Sequence, residues 1–170
     1  MAGTLSLRAD QHDPRLDRLF ALLAAAPSLS EALPVERAIW SLWLDHDDKN
    51  VKQWMSVAAA AMGEGLLEAA LSEADKVVEA APGYAEGWNR RATILFLLER
   101  YEESLADIER TLALEPRHFG ALSGRGLSLM ALDRLPEAEQ AFIAALKIHP
   151  QMPGARRNLK LIGKTLGEPI

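Results

Sequence analysis

The sequence predicts an all-α fold, a solenoid of antiparallel helix pairs. Three observations carry this: Trp54, Trp88 and Leu122 stand 34 residues apart, Pro82, Pro116 and Pro150 keep the same spacing, and the positions between them repeat one pattern of side-chain size. A fixed period of this length marks stacked helical hairpins, each burying its apolar face only against its neighbours. Counted from Ala85, one unit reads Trp88, Ala92, Leu95, Tyr101, Ser104, Ile108, Thr111, Pro116. The next reads Leu122, Gly126, Leu129, Leu135, Ala138, Phe142, Ala145, Pro150, and the one before reads Trp54, Ala58, Ala61, Leu67, Ala70, Ala74, Val77, Pro82. Small residues recur where two helices must approach closely, and each proline denies the second helix a further turn.

In chain order, residues 1–12 lack periodicity and are expected to be a flexible lead-in. Residues 13–50 form a helical hairpin. Asp13 is the N-cap candidate, Pro14 sits at the first helical position, and Leu16, Leu19, Phe20 and Leu23 fall on one face before Pro27 stops the run. Ser28 and Ser30 can open the second helix. Pro34 lies in its first turn or delays its start, and Ala38, Ile39, Trp40, Leu42, Trp43 and Leu44 make an apolar end. Carried back from Trp54, the period lands on Phe20, and Trp40 falls where Ala74, Ile108 and Phe142 sit. The match fails at Pro27, which takes a mid-helix position, and at Trp43, which fills a slot kept smaller elsewhere. The hairpin is therefore expected to be a degenerate repeat that caps the N-terminal end.

Three regular units follow, at 51–84, 85–118 and 119–152. Their turns are Gly63-Glu64-Gly65, Glu99-Arg100 and Asp133-Arg134, the first with a glycine stop and the others with polar residues. Residues 153–170 supply one more helix and a tail. Arg156 stands at the tryptophan position and Lys160 at the small position, which suits a last helix whose outer side faces water while Leu159, Ile162 and Leu166 cover the third unit.

Composition narrows the function classes. The 170 residues are 49% hydrophobic and 25% charged, with 19 basic and 24 acidic residues giving a net charge of −5. That balance argues against nucleic acid, which needs a basic stripe to displace phosphate counterions. No cysteine is present, so disulfide and thiolate chemistry are excluded. No run approaches the roughly 18 apolar residues of a membrane span. The first residues lack the apolar core of an export signal, so the chain reads as cytoplasmic as written, with a periplasmic location the alternative if a signal has been removed.

Catalytic signatures are missing. His12, His46, His118 and His149 are scattered, without paired metal-ligand spacing, and no phosphate-binding glycine loop or nucleophile elbow occurs. His46-Asp47-Asp48 is read as a solvated loop rather than a metal site. No enzyme activity, cofactor or metal is expected.

The repeated residues are those of the tetratricopeptide repeat (TPR), which the chain resembles: large, small, large on the first helix, small, large, small on the second, then proline. The phrases YAEGWNRRAT and SLADIERTLALEPRHFGAL are similar to small bacterial TPR proteins, some of them exported to the envelope. The resemblance implies a right-handed superhelix whose first helices line a concave, peptide-binding face. Carried onto this chain, that face comprises Lys52, Met55, Ala59 and Met62, then Glu86, Asn89, Thr93 and Phe96, then Ser123, Leu127 and Met130, and finally Arg157, Leu161 and Lys164. This lining suits an apolar helix or extended peptide of a protein partner. The residues with which some TPRs clamp the terminal carboxylates of chaperone tails are replaced by Met55, Ala59, Arg90, Gly120 and Gly124, so that ligand is not expected. The alternative is a structural subunit that assembles with copies of itself through Trp40 and Trp43 or through the basic last helix.

Overall fold

The computed structural model describes residues 10–167, and these form nine helices and no strand. They are α1 (Arg15–Ala25), α2 (Leu29–Trp43), α3 (Lys49–Gly63), α4 (Leu67–Ala80), α5 (Ala85–Leu97), α6 (Tyr101–Leu114), α7 (Phe119–Ala131), α8 (Leu135–Ile148) and α9 (Pro153–Leu166). Residues 1–9 of the expected lead-in and 168–170 of the tail lie outside the described residues.

The pairs α3–α4, α5–α6 and α7–α8 are the three repeats, and each second helix packs on the first helix of the next pair. Ala58, Ala70, Ala92 and Ala138 are buried at the crossing points, as close helix approach requires. Gly126 is the tightest: a Cβ there would lie 2.6–2.7 Å from three atoms of the Phe142 ring. The turns share one geometry. Gly65, Glu99 and Asp133, again 34 residues apart, have φ of 75°, 61° and 58°. In each repeat the next residue's N–H donates back to a helix carbonyl: Leu66 to Ala61 (2.8 Å), Arg100 to Leu95 (2.9 Å) and Arg134 to Leu129 (2.9 Å). This is a left-handed helix stop with a six-to-one hydrogen bond. Two turns adopt it without glycine, at a cost of about 1–2 kcal/mol each.

The last helix keeps one contact of the tryptophan position. Trp88 Nε1 donates to the Pro82 carbonyl (2.9 Å), and Arg156 Nε donates to the Pro150 carbonyl (2.8 Å) from the equivalent site. Arg156 thus replaces the indole donor while staying exposed. Leu159 and Ile162 cover the third repeat as expected, whereas Leu166 is 41% exposed.

The first hairpin departs from the expected cap. It does not stack as a further repeat ahead of α3; its core of Leu16, Phe20, Leu23, Ala32, Ile39, Leu42 and Trp43 closes on Phe119, Ile148 and Met152 instead. The hairpin therefore lies across the loops between repeats, with α2 following one structural row. Tyr84, His118 and Met152 are 34 residues apart, and all three receive it. The Tyr84 hydroxyl donates to the Trp43 carbonyl (2.8 Å), the Trp43 ring stacks on His118 (4.1 Å, 8°), and Met152 packs into the hairpin core. Further ties are Gln151 Nε2 donating to the Ala26 carbonyl (3.0 Å) and Arg117, which pairs with Asp17 (2.7 Å) and lies over the Phe20 ring (4.3 Å). The physical reason is size. Trp43 is too bulky for the slot that Val77, Thr111 and Ala145 fill in the repeats and stacks on His118 instead, while Trp40 finds room over Gly120, where a Cβ would sit 2.8 Å from its ring.

Two local expectations also change. Pro34 lies inside α2, beyond its first turn, with Ser28 as N-cap accepting from the Glu31 N–H. The end of the lead-in is anchored: Gln11 is buried, donating through Nε2 to the Gly83 carbonyl (2.6 Å) and accepting from the Ala85 N–H (3.3 Å).

Candidate peptide-binding groove

The face formed by the first helices is walled on one side by α2. Between them lies a cavity of ≈ 260 Å³. From α5 it takes Asn89, Ala92, Thr93 and Phe96, from α7 Phe119, Gly120, Ser123, Gly124 and Leu127, from α6 Ser104 and Ile108, and from the loop before α9 Met152. Glu36 and Trp40 of α2 complete it. The interior is mostly apolar, with a few polar groups converging on it, as in small ligand sites generally.

The structure brings together five of the residues expected on this face: Asn89, Thr93, Phe96, Ser123 and Leu127. The others fall elsewhere. Met55 is buried with Val51, Val77 and Tyr84, so it is core rather than lining. Lys52 pairs with Asp45 at 2.5 Å, in the link between α2 and α3. Ala59 is exposed on α3, while Met62 and Met130 are half-buried against the cores of the first and third repeats. Arg157, Leu161 and Lys164 are exposed on α9 and do not reach the cavity. Glu86 is only 2% exposed and fully engaged beneath the groove, which removes it as a ligand contact.

Glu86 organises the floor. Asn89 Nδ2 donates to its carboxylate (2.8 Å), Arg90 stands at 3.5 Å, and His118 Nε2 at 3.1 Å. His118 Nδ1 accepts the Ala121 N–H (3.0 Å) as the N-cap of α7, so the ring proton is on Nε2 and donates to Glu86. Because a carboxylate only accepts, Asn89 must present its Nδ2 downward, which leaves Oδ1 toward the groove. Thr93 spends its proton on the Asn89 carbonyl (2.9 Å), so its oxygen is left as an acceptor. Glu36 meets the buried His149 Nε2 through one oxygen (3.3 Å) and is otherwise partly exposed.

Sequence reasoning missed Glu36, Trp40 and Met152 as lining residues. A signal was present in the recurrence of large residues at Tyr84, His118 and Met152, in loops where the rest of each repeat has no need of them. Among the described residues, no group of three or more His, Asp or Glu is placed to hold a metal ion, and no helix is long and apolar enough to cross a membrane.

A clip outside the groove joins two repeats. Arg91 donates to both oxygens of Asp107 (2.7 and 2.8 Å) and to Asp75 (2.9 Å), and packs over Trp88. The Asp107 hydrogen bonds hold the Arg91 pKa above its ordinary value.

Comparison with known proteins agrees with this architecture. A family model described as tetratricopeptide repeat matches residues 89–153. A TPR repeat-containing protein of Rhizobium etli is 34% identical over 152 residues, covering 89% of this chain and 74% of the relative. Among solved structures, the first TPR of Spaghetti (RPAP3), bound to an HSP90 peptide SRMEEVD, superposes with a TM-score of 0.69 at 23% identity, covering 72% of this chain and 97% of that one. The Sgt2 TPR domain from Aspergillus fumigatus gives a TM-score of 0.68 at 17% identity, covering 71% and 81%. With its 34-residue period, its left-handed turns and this relative, the chain belongs to the tetratricopeptide repeat family.

Proposed function

We propose that this chain is a non-catalytic scaffold that binds a peptide or helix of a partner protein in the groove between α2, α5 and α7. The observation that carries the reading is the cavity itself, which is apolar, open to the first-helix face and lined by Asn89, Thr93, Phe96, Ser123 and Leu127. Structural neighbours support it: TPR domains of similar fold were solved with an HSP90 peptide and an HSP70 peptide. Those peptides end in acidic residues, and the groove here offers them little. Met55 is buried, Arg90 is paired with Glu86, and Gly120 lies under Trp40.

The test is a peptide-display selection against the whole chain, with the selected peptides re-measured on Phe96→Ala and Leu127→Ala. The expected result is a loss of about tenfold or more in affinity for each, the scale of one lost apolar anchor. Undiminished binding to both variants would move the site off this face.

A structural, self-associating subunit is the second reading, favoured by Leu22, Leu29 and Leu33, which are 47%, 38% and 39% exposed on the first hairpin. Light scattering across a concentration series separates the two: a molecular mass that stays at one chain disfavours self-assembly.

A further inference from the structure

We propose that the groove selects a segment in which a large apolar side chain stands beside a lysine or arginine, the apolar group entering between Trp40, Phe96 and Leu127 and the cation meeting Glu36. This rests on the reading that the groove binds a peptide, and specifies which one. Of the fourteen residues lining the cavity, Glu36 is the only charged one. One of its oxygens faces His149 Nε2 at 3.3 Å, and its side chain is 26% exposed.

The neutral polar groups point the same way. Asn89 gives an Nδ2 proton to Glu86 and Thr93 commits its hydroxyl proton to a backbone carbonyl, which leaves their oxygens to act as acceptors. An ammonium or guanidinium supplies the donors these oxygens lack. A ligand carboxylate would instead meet oxygens and the Glu36 charge in a site with apolar walls, where a like charge is poorly screened. Buried Glu86 adds negative charge below the floor, and Arg90, 3.5 Å from it, offsets part of that.

Apolar anchoring comes from α2 as much as from the repeats. Trp40 is held edge-on by Trp43 (5.2 Å), His118 (5.4 Å) and Phe119 (5.6 Å), so it is a rigid wall rather than a mobile flap. Selectivity is therefore written largely by the first hairpin, which contributes both the charge and the aromatic wall.

The experiment uses three labelled octapeptides with one shared leucine or tryptophan anchor and a neighbouring lysine, norleucine or glutamate, measured by fluorescence polarisation on the whole chain. The lysine peptide should bind about tenfold tighter than the norleucine peptide, the ratio expected of one charge-assisted contact, and the glutamate peptide more weakly than either. In Glu36→Gln, which keeps the size of the side chain and a partner for His149, the ratio of lysine to norleucine affinity should collapse toward unity. On the wild type, the lysine advantage should also shrink as salt is raised. A lysine preference that survives Glu36→Gln and added salt, or a preference for glutamate, overturns the proposal but leaves groove binding intact if Phe96→Ala weakens all three peptides. If none of the peptides binds, the groove reading falls with it. Self-association competed away by the lysine peptide would assign the groove to a second copy and also overturn the proposal.

Discussion

Two glycines two residues apart on α7 should respond to alanine in opposite directions. In a helix interior, glycine to alanine gains about 1 kcal/mol from backbone entropy alone. At Gly124 the new Cβ would find only Ile108 Cδ1, at 3.6 Å, an ordinary contact, so the gain survives. At Gly126 the Cβ would stand 2.6–2.7 Å from three atoms of the Phe142 ring, which is fully buried among Leu129, Ala138, Ala141 and Ile162 and has no room to retreat. Overpacking of this kind costs about 1–3 kcal/mol, and contact with three ring atoms places it toward the upper end. Subtracting the propensity gain leaves Gly126→Ala less stable by about 2 kcal/mol. In a chain of this size 1 kcal/mol moves Tm by roughly 2–4 °C, so Gly126→Ala should melt about 4–8 °C below the wild type and Gly124→Ala about 2–4 °C above it. Thermal unfolding followed by circular dichroism at 222 nm (the helix band) reads both. A rise in Tm for Gly126→Ala would mean that α7 and α8 are not packed through this glycine, and the repeat geometry derived from it would be wrong.

Other consequences concern the hairpin and the clip. Trp43→Ala removes a side chain buried against His118, Phe20 and Phe119 and should cost about 3–5 kcal/mol. Hydrogen exchange should show the loss concentrated in α1, α2 and the start of α7, not in α3–α4. Arg91→Lys gives up the two-pronged bond to Asp107 and should cost about 1–2 kcal/mol in a denaturant titration, while binding in the groove is unchanged. Acid should loosen the hairpin. Asp13 and Asp45 flank it, and their carboxyls are held below the ordinary value, Asp13 by its hydrogen bond from Arg15 and Asp45 by its hydrogen bond from Lys52. A folded pKa below the unfolded one means stability that is complete above the ordinary carboxylate value of about 4 and lost as pH falls through the lowered one. Amide protection in α1 and α2 should therefore drop as pH falls from about 5 to about 2; protection that holds through this range would separate these ion pairs from the docking of the hairpin.

The repeats were legible because one constraint recurs. Trp88, Ala92 and Pro116 each answer a packing demand that the neighbouring unit makes again, so the period carried the helix order of α3–α9 and five of the groove residues. The hairpin was not legible in the same way, because its contacts are made once and across long separations: Trp43 to His118, Glu36 to His149, Ala26 to Gln151. Extending the period backwards gave Trp40 an internal slot, and the two mismatches at Pro27 and Trp43 were the trace of a different docking. Met55 and Glu86 were misplaced for a related reason. A repeat position specifies which way a helix faces, whereas the depth of burial there depends on Tyr84, His118 and the other residues packed around it.

In the proposed peptide groove, α2, lying along Tyr84, His118 and Met152, forms one wall and α5 and α7 the rest. The most direct test is a peptide titration of the nitrogen-15-labelled chain, using a ligand from the display selection and following the indole signals of its four tryptophans together with the backbone amides. The Trp40 indole should move together with the amides of Asn89, Thr93, Ser123 and Leu127, while the Trp54 and Trp88 indoles stay in place. Shifts confined to α3, α9 or the second helices, with Trp40 unmoved, would contradict it.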